Sequence, residues 1–399
     1  MTTLPPDHRA GPWAVFLIFL RLGLTSFGGP VAHLGYFRDE FVTRRRWLDE
    51  RSYADLVALC QFLPGPASSQ VGIALGMSRA GYRGAAAAWA GFTLPSAMAL
   101  ILFALGLSHY ANGLPNGALQ GLKVVAVAVV AQAVWGMARN LCRGTARVAL
   151  MLSAACAALL MSSAWGQVGV IATAALAGLL LFKPEPTGAP APLHIPIRRR
   201  AGAMWLGLFG VLLVGLPLLA QSTALHSVAL VDAFYRSGSL VFGGGHVVLP
   251  LLQAEVVPTQ WVSNDVFLAG YGAAQAVPGP LFTFAAFLGA SMNQAPTGVL
   301  GGVMALLAIF APSFLLIFGA LPFWASLRQS PRAQAALAGV NAAVVGLLLA
   351  ALYQPVWTHA MFTGYDFALA LVALIALMFW KLPPWLVVIG CGVLGGLWG

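Results

Sequence analysis

The sequence predicts an all-α polytopic membrane protein built from two inverted-topology repeats. Three observations predict this fold: an apolar composition, an internal repeat, and breaks in the apolar segments at glycine and proline motifs. Of the 399 residues, 60% are hydrophobic and only 8% are charged, whereas a soluble domain has about 25% charged residues. A surface so poor in charge is suited to lipid, and apolar runs of membrane-spanning length recur along the chain.

Four motifs occur twice, in the same order and at nearly the same spacing. They are F-G-G at 27–29 and 242–244, Q-x-x-P-G-P at 61–66 and 275–280, P-S at 95–96 and 312–313, and A-L-x-G at 118–121 and 336–339. Arg21 and Arg236 are related by the same spacing as the F-G-G motifs. Such self-similarity indicates a repeat architecture, here with two units.

The repeat divides the chain into four regions. We expect a first transporter repeat at 1–182, a Pro/Arg-rich cytoplasmic linker at 183–202, an extra crossing helix at 203–225, and a second, inverted repeat at 226–399. The apolar segments predict about nine full spans and about four re-entrant or broken segments, interrupted at the F-G-G and P-G-P motifs.

The arginines predict the topology, because short cytoplasmic loops are rich in Lys and Arg. The basic loop at 38–51 and the pair Arg79 and Arg83 flank one apolar segment, 52–80, so both of its ends should be cytoplasmic. A re-entrant hairpin broken at the first P-G-P meets this requirement. The matching loops of the second half carry Glu255 and Asp265 and are expected outside. Inverted repeats with interrupted helices are a recurring architecture of secondary transporters.

Segment 12–37 has two interpretations. It is either a re-entrant hairpin broken at Gly28-Gly29 or a single span that places the N-terminus outside. The arginine pattern agrees with both.

The breaks also predict where a ligand binds. A half-helix that begins inside the membrane offers free backbone N–H groups and a positive dipole end to an anion. The predicted anion-site residues are Arg21, Gly28, Gly29, Pro64, Gly65, Pro66, Ser68, Ser69, Gln70, Arg236, Gly243, Gly244, Gly245, Pro278, Gly279, Pro280 and Thr283. In the alternative interpretation the breaks only kink helices for close packing, and the arginines extend to the membrane edge.

Four further residues are candidates for charge or proton coupling. His33 and His246 follow the two glycine breaks and could titrate near neutral pH, or could be hydrogen-bonded core histidines. Asp55 begins an arm of the predicted hairpin. Lys123 lies in an apolar segment, where a cavity role and extension to the membrane edge are equally compatible with the pattern.

Several functions are not indicated by the sequence. There is no phosphate-binding loop, nucleophile elbow or metal-ligand cluster, so we expect no enzyme activity, no cofactor and no metal. The net charge of +10 lies in short loops, which favours topology signalling over nucleic-acid binding. The apolar segments nearly lack carboxylates, which disfavours cation transport.

Taken together, the motifs resemble the chromate ion transporter family. The resemblance lies in FLRLGLTSFGGPVAHLGYF, LCQFLPGPASSQVGIALG and GFTLPS, and in the second-half counterparts SLVFGGGHVVLPLL and AAQAVPGPLFTFAAFLGA. It covers both halves and therefore implies the long, two-domain form. In the second half Gly245 stands where the first half has Pro30, so the half-sites need not be equivalent.

The resemblance implies chromate export that gives chromate resistance, driven by an ion gradient or the membrane potential, with sulfate as a competing anion. We expect a multi-pass protein of the inner membrane, and the sequence leaves a homodimer open. From the residues alone, sulfate or other oxyanion uptake and an anion channel remain alternatives. A membrane-embedded chromate reductase is a third possibility, which the absence of a cofactor motif disfavours.

Overall fold

The structure is a computed structural model that describes residues 11–109, 116–161, 163–183 and 197–398, and these residues form helices and connecting turns. The predicted cytoplasmic linker lies mostly outside the described residues. The helices of the first half are α1 Pro12–Thr25, α2 Gly29–Arg38, α3 Glu50–Phe62, α4 Ala67–His109, α5 Asn116–Leu141, α6 Thr145–Leu160 and α7 Ala164–Leu181. A separate helix, α8, runs over Arg199–Ser222. The helices of the second half are α9 His226–Leu240, α10 Val248–Val256, α11 Asn264–Ala274, α12 Phe284–Ala290, α13 Gly298–Ala320, α14 Trp324–Arg328, α15 Pro331–Ala351, α16 Gly364–Met378 and α17 Pro384–Trp398.

Six of the described helices are long and apolar enough to cross a membrane, namely α4, α5, α7, α8, α13 and α15. Shorter apolar helices, such as α1 and α16, accompany them. These features fit a polytopic membrane protein. The number of full spans stays a prediction.

The P-G-P segments form hairpins whose two ends meet. In the first half, the Arg79 guanidinium donates a hydrogen bond to the Trp47 carbonyl at 2.9 Å. In the second half, the Asn293 backbone N–H donates to the Trp261 carbonyl, also at 2.9 Å. Both residues of the second pair follow their counterparts by 214 positions in the sequence. Each P-G-P motif therefore lies at the tip of a segment that returns to its own starting point.

Behind each hairpin the chain reverses sharply. In the first half, Ala80 and Gly81 leave the helical conformation inside α4. The two arms then pack so closely that a Cβ added to Gly76 would lie 2.3 Å from the Gly84 carbonyl oxygen. In the second half, Gly289 and Gly301 make the equivalent approach, at 2.2 Å. Glycine is required at these positions because the backbones touch.

The F-G-G segments also fold back on themselves. Phe19 of α1 contacts Phe37 and Phe41 beyond the break, with ring centroids 5.5 and 5.1 Å apart. These contacts favour the hairpin interpretation of segment 12–37. In the second half the corresponding arms, α9 and α10, are joined by an ion pair between Arg236 and Glu255.

The two halves are interlocked through their remaining helices. α5 packs on α16 and α17, whereas α15 packs on α6 and α7. At these contacts the backbones touch: a Cβ added to Gly121 would lie 2.0 Å from the Cys391 carbonyl oxygen, and one added to Gly339 would lie 2.0 Å from the Ala174 carbonyl oxygen. Helix α8 lies at the periphery, and only 6% of its most apolar stretch is buried.

This interlocking predicts that the halves assemble without a covalent link. Residues 1–183 and 197–399, expressed as separate chains in one membrane, are expected to co-purify, because each half supplies helices that cover the other. The measurement is recovery of the second half on an affinity tag attached to the first. Gly121→Leu should reduce recovery, since its side chain would collide with the Cys391 backbone. Gly136→Leu, with open space at its Cβ position, is the control, and equal recovery of both variants would contradict the packing argument.

Candidate functional site

The tips of the four hairpins meet at the interface between the halves. The Gly65 N–H of the first P-G-P donates to the Val241 carbonyl at 2.7 Å, and the Gly279 N–H of the second donates to the Ser26 carbonyl at 3.0 Å. Ser26 and Val241 each directly precede an F-G-G motif. Because each repeat gives and receives the same bond, the contact has the reciprocal form of a twofold-related interface.

The P-S motifs of the long helices support this crossing. A Cβ added to Gly65 would lie 2.8 Å from the Ser313 Oγ, and one added to Gly279 would lie 2.9 Å from the Ser96 Oγ. Gly65 and Gly279 have positive φ angles, +122° and +103°. Residues with a side chain rarely adopt such angles. The P-G-P glycines are therefore required for conformation and for space.

A cavity of about 230 Å³ lies beside this crossing. It is several times larger than the roughly 30 Å³ that one water occupies in the liquid. Both halves line it: the first contributes its glycine break and α5, and the second its P-G-P hairpin and the turn before α17. The lining residues are Gly28, Gly29, Pro30, Val129, Gln132, His246, Ala274, Gln275, Val277, Gly279, Leu281, Leu377, Lys381, Leu382 and Pro384.

The polar groups of the cavity suit an anion. Lys381 supplies a positive charge, and no Asp or Glu is among the described lining residues. The N-terminus of α2 begins there, with Gly28 in the left-handed conformation as its N-cap. The N–H groups of the first helical turn have no partner within the helix. Gln275 Nε2 is buried and has no hydrogen-bond partner among the described residues.

The second glycine break is closed. A Cβ added to Gly243 would meet Leu141 at 3.1 Å, and one added to Gly244 would meet the Met137 sulfur at 3.6 Å. Thus Gly28 and Gly29 line the open cavity, whereas their counterparts are packed against side chains of α5. The two half-sites differ in this structure.

The predicted hydroxyl and amide residues brace the breaks. Gln70 Nε2 donates to the Pro64 carbonyl at 2.7 Å, and Thr283 Oγ1 donates to the Pro280 carbonyl at 2.8 Å. Ser68 and Ser69 are buried near the first break, and the Ser68 Oγ lies 3.4 Å from His33 Nδ1. None of these side chains lines the cavity, and their part in anion binding stays a prediction.

The two predicted arginines are in different surroundings. Arg21 is exposed and Arg236 is buried, and neither lines the cavity. Arg236 contacts Asp232 at 2.7 Å and Glu255 at 3.2 Å. A shared role of the two guanidiniums at one anion therefore stays a prediction without direct geometric support.

The coupling candidates are also separated. His246 lines the cavity, and its Nδ1 lies 2.8 Å from the Tyr271 hydroxyl. His33 is buried, with Nε2 3.2 Å from the Ser26 carbonyl. Asp55 forms an ion pair with Arg328. Lys123 pairs with Asp265 at 3.0 Å across the two halves, away from the cavity.

Three polar residues of the cavity were not among the predicted site residues, although each has a recognisable feature in the sequence. Gln132 is a lone amide in the apolar run AVVAQAVW. Gln275 opens the second Q-x-x-P-G-P motif, of which only the glycine and the two prolines were predicted site residues. Lys381 lies in a short loop beside an apolar segment, where a basic residue indicates topology.

Interlocked halves, apolar helices and a donor-lined cavity at buried backbone breaks define a multi-pass membrane protein with a site suited to an anion. The family model described as Chromate transporter matches residues 13–179 and 228–396, one match in each half. The chain belongs to this family, which consists of transporters.

Several curated relatives are similar over most of the chain. A chromate transport protein of Pseudomonas aeruginosa is 29% identical over 352 residues, covering 84% of this chain and 78% of the relative. A chromate transport protein of Cupriavidus metallidurans is 26% identical over 418 residues, covering 98% and 96%. An uncharacterised transporter of Bacillus subtilis is 30% identical over 175 residues, covering 43% of this chain and 96% of the relative. No solved structure matches the chain.

Proposed function

We propose that the chain is a secondary active transporter that exports chromate across the inner membrane and gives chromate resistance. The observation that carries this proposal is the cavity lined by Lys381, the start of α2 and unpaired Gln275, without a carboxylate among its described lining residues. The names of the Pseudomonas and Cupriavidus relatives support chromate as the substrate.

The binding step follows from the chemistry of these groups. Chromate is a doubly charged tetrahedral anion, so its oxygens accept hydrogen bonds in several directions. Backbone N–H groups at the α2 start and the Gln275 amide provide directed donors. Lys381 adds a mobile charge at the side of the cavity expected to face the cytoplasm. Sulfate has the same charge and shape, and we expect it to compete.

Alternating access is supported by the difference between the half-sites. The first glycine break is open to the cavity, whereas Met137 and Leu141 cover the second. In inverted-repeat transporters, the movement of one repeat against the other exposes a central site to each side in turn. We infer that the open first break faces the cytoplasm, because Lys381 is expected on that side, and that export begins from this state.

The inverted topology has a direct test by cysteine labelling. Leu48→Cys and Tyr82→Cys flank the first P-G-P hairpin and are expected to label from the same side, because Trp47 and Arg79 are in contact. The flanking arginines predict that this side is the cytoplasm. Gln260→Cys and Gln294→Cys flank the second hairpin and should label from outside. The background lacks the four native cysteines. Labelling of 48 and 82 from opposite sides would contradict the hairpin.

The transport proposal is tested with everted membrane vesicles, in which export appears as uptake. We expect chromate uptake that requires an imposed gradient, exceeds the equilibrium level and is inhibited by sulfate. Uptake that only equilibrates would indicate a channel. Sulfate uptake without chromate uptake would favour the sulfate alternative.

A further inference from the structure

The hairpin of α9 and α10 contains a buried ion cluster with one negative charge in excess. Arg236 Nη2 lies 2.7 Å from Asp232 Oδ2, and its two Nη atoms each lie 3.2 Å from a Glu255 oxygen. The side chains of Arg236 and Asp232 are 9% exposed and that of Glu255 13%. Two carboxylates therefore share one guanidinium in a poorly hydrated place.

Among the described residues around the cluster, none supplies the missing positive charge. Helices α7 and α13 have no ionisable side chain, and those of α8 and α15 are confined to the first turn. Of the remaining groups on the hairpin and the turn before α10, Tyr235 donates to the Phe209 carbonyl, His226 packs on Trp261 and His246 pairs with Tyr271. Trp165, which is 55% exposed, lies over the Arg236 guanidinium at 4.7 Å. A buried excess charge is costly, and one proton removes it.

The first repeat has the opposite arrangement at the matching position. Glu40 precedes Glu255 by 215 residues, the spacing that also relates Arg21 to Arg236. Glu40 is held by Arg44 at 3.0 Å and Arg45 at 2.6 Å, so its cluster has an excess positive charge. The arms of this hairpin are joined instead by Phe19, Phe37 and Phe41. Of the two F-G-G hairpins, the second therefore has a cluster whose net charge becomes zero when one carboxylate is protonated.

We propose that Glu255 is the proton-binding site that couples proton movement to transport, an inference that rests on the proposed transport function. Asp232 lies one turn from Arg236 on the same helix, so their pair persists when α9 moves. Glu255 lies on the other arm, and a proton on its carboxylate removes the charge that draws α10 to Arg236. α9 leads directly to Val241, whose carbonyl accepts the Gly65 N–H bond at the crossing. Protonation of Glu255 therefore weakens the ion pair between α9 and α10 and lets the tip of this hairpin move relative to the cavity.

The test uses the purified full-length protein in vesicles that contain a pH-sensitive dye, with the membrane potential clamped. Chromate is added outside, and both chromate entry and internal pH are recorded. Chromate exchange at equal pH on both sides is measured in parallel. For the wild type we expect proton movement that requires chromate.

Glu255→Gln is expected to reduce chromate-dependent proton movement at least about tenfold while exchange falls less than about threefold, because the cavity residues are intact. Asp232→Asn removes the same excess charge and should lose proton movement equally, which provides a second variant if one does not fold. Glu40→Gln, the repeat counterpart, should retain both activities. The proposal would be overturned if a folded Glu255→Gln variant moved protons with chromate as fast as the wild type. It would also be overturned if the wild type exchanged chromate without any proton movement. Absence of wild-type exchange would instead overturn the transport function on which it rests.

Discussion

Replacing Gly279 by alanine is expected to reduce chromate transport at least about tenfold. Gly279 has φ +103°, and an added Cβ would lie 2.9 Å from the Ser96 Oγ and 3.2 Å from the Phe92 carbonyl oxygen. The left-handed conformation alone costs a residue with a side chain about 1–2 kcal/mol, and about 1.4 kcal/mol corresponds to a tenfold change in population. The collision adds to this cost and pushes the tip away from Ser26. The measurement is chromate uptake by everted vesicles, normalised to protein in the membrane.

Two further variants make this prediction specific. Gly65→Ala should have a similar effect, because its Cβ would approach the Gln70 Nε2 at 2.6 Å and the Ser313 Oγ of the other half at 2.8 Å. Gly144→Ala is the matched control, since Gly144 also has positive φ, +89°, but nothing lies within 4 Å of its Cβ position. Equal transport loss in all three variants would show that backbone strain, and not the crossing contact, is responsible.

The local part of this architecture could be predicted from the sequence because its causes are local. Pro64-Gly65-Pro66 removes backbone donors and permits positive φ, so it breaks a helix wherever it occurs. Its duplication at 278–280, together with the two F-G-G motifs, indicated paired breaks. The sequence could not pair Gly65 with Val241, because that hydrogen bond joins residues from different repeats.

Long-range packing also decided the features that sequence reasoning missed. Asp232 lies one turn before Arg236 on the same helix, but Glu255 reaches the same guanidinium only because α10 folds back on α9. The matching spacing of Arg21 and Arg236 suggested equivalent roles, yet Arg21 is exposed. Likewise, which glycine break faces a cavity depends on Met137 and Leu141, which lie more than 100 residues before the break they cover.

The positive charge of Lys381, which lines the cavity, is expected to contribute strongly to chromate binding. Lys381→Gln should raise the KM for chromate about 10–100-fold, because a hydrogen bond to a charged group contributes about 1.5–3 kcal/mol. Lys381 has φ +52°, and glutamine keeps a side chain of similar length, so the substitution mainly removes charge. Lys381→Arg should retain low KM. Both Lys381 and Lys183 are exposed, but Lys183 does not line the cavity, so Lys183→Gln is the control.

The dependence of KM on sulfate and salt distinguishes a binding role for Lys381 from a structural one. If Lys381 contacts the anion, Lys381→Gln should weaken sulfate inhibition and chromate uptake by similar factors, because both anions carry two charges. The maximal rate should change little, since the tips of the hairpins remain intact. An unchanged KM with a lower maximal rate would instead place Lys381 in the conformational step. Because Lys381 is the single positively charged side chain among the described lining residues, that result would leave the start of α2 and the two glutamines as the source of anion binding.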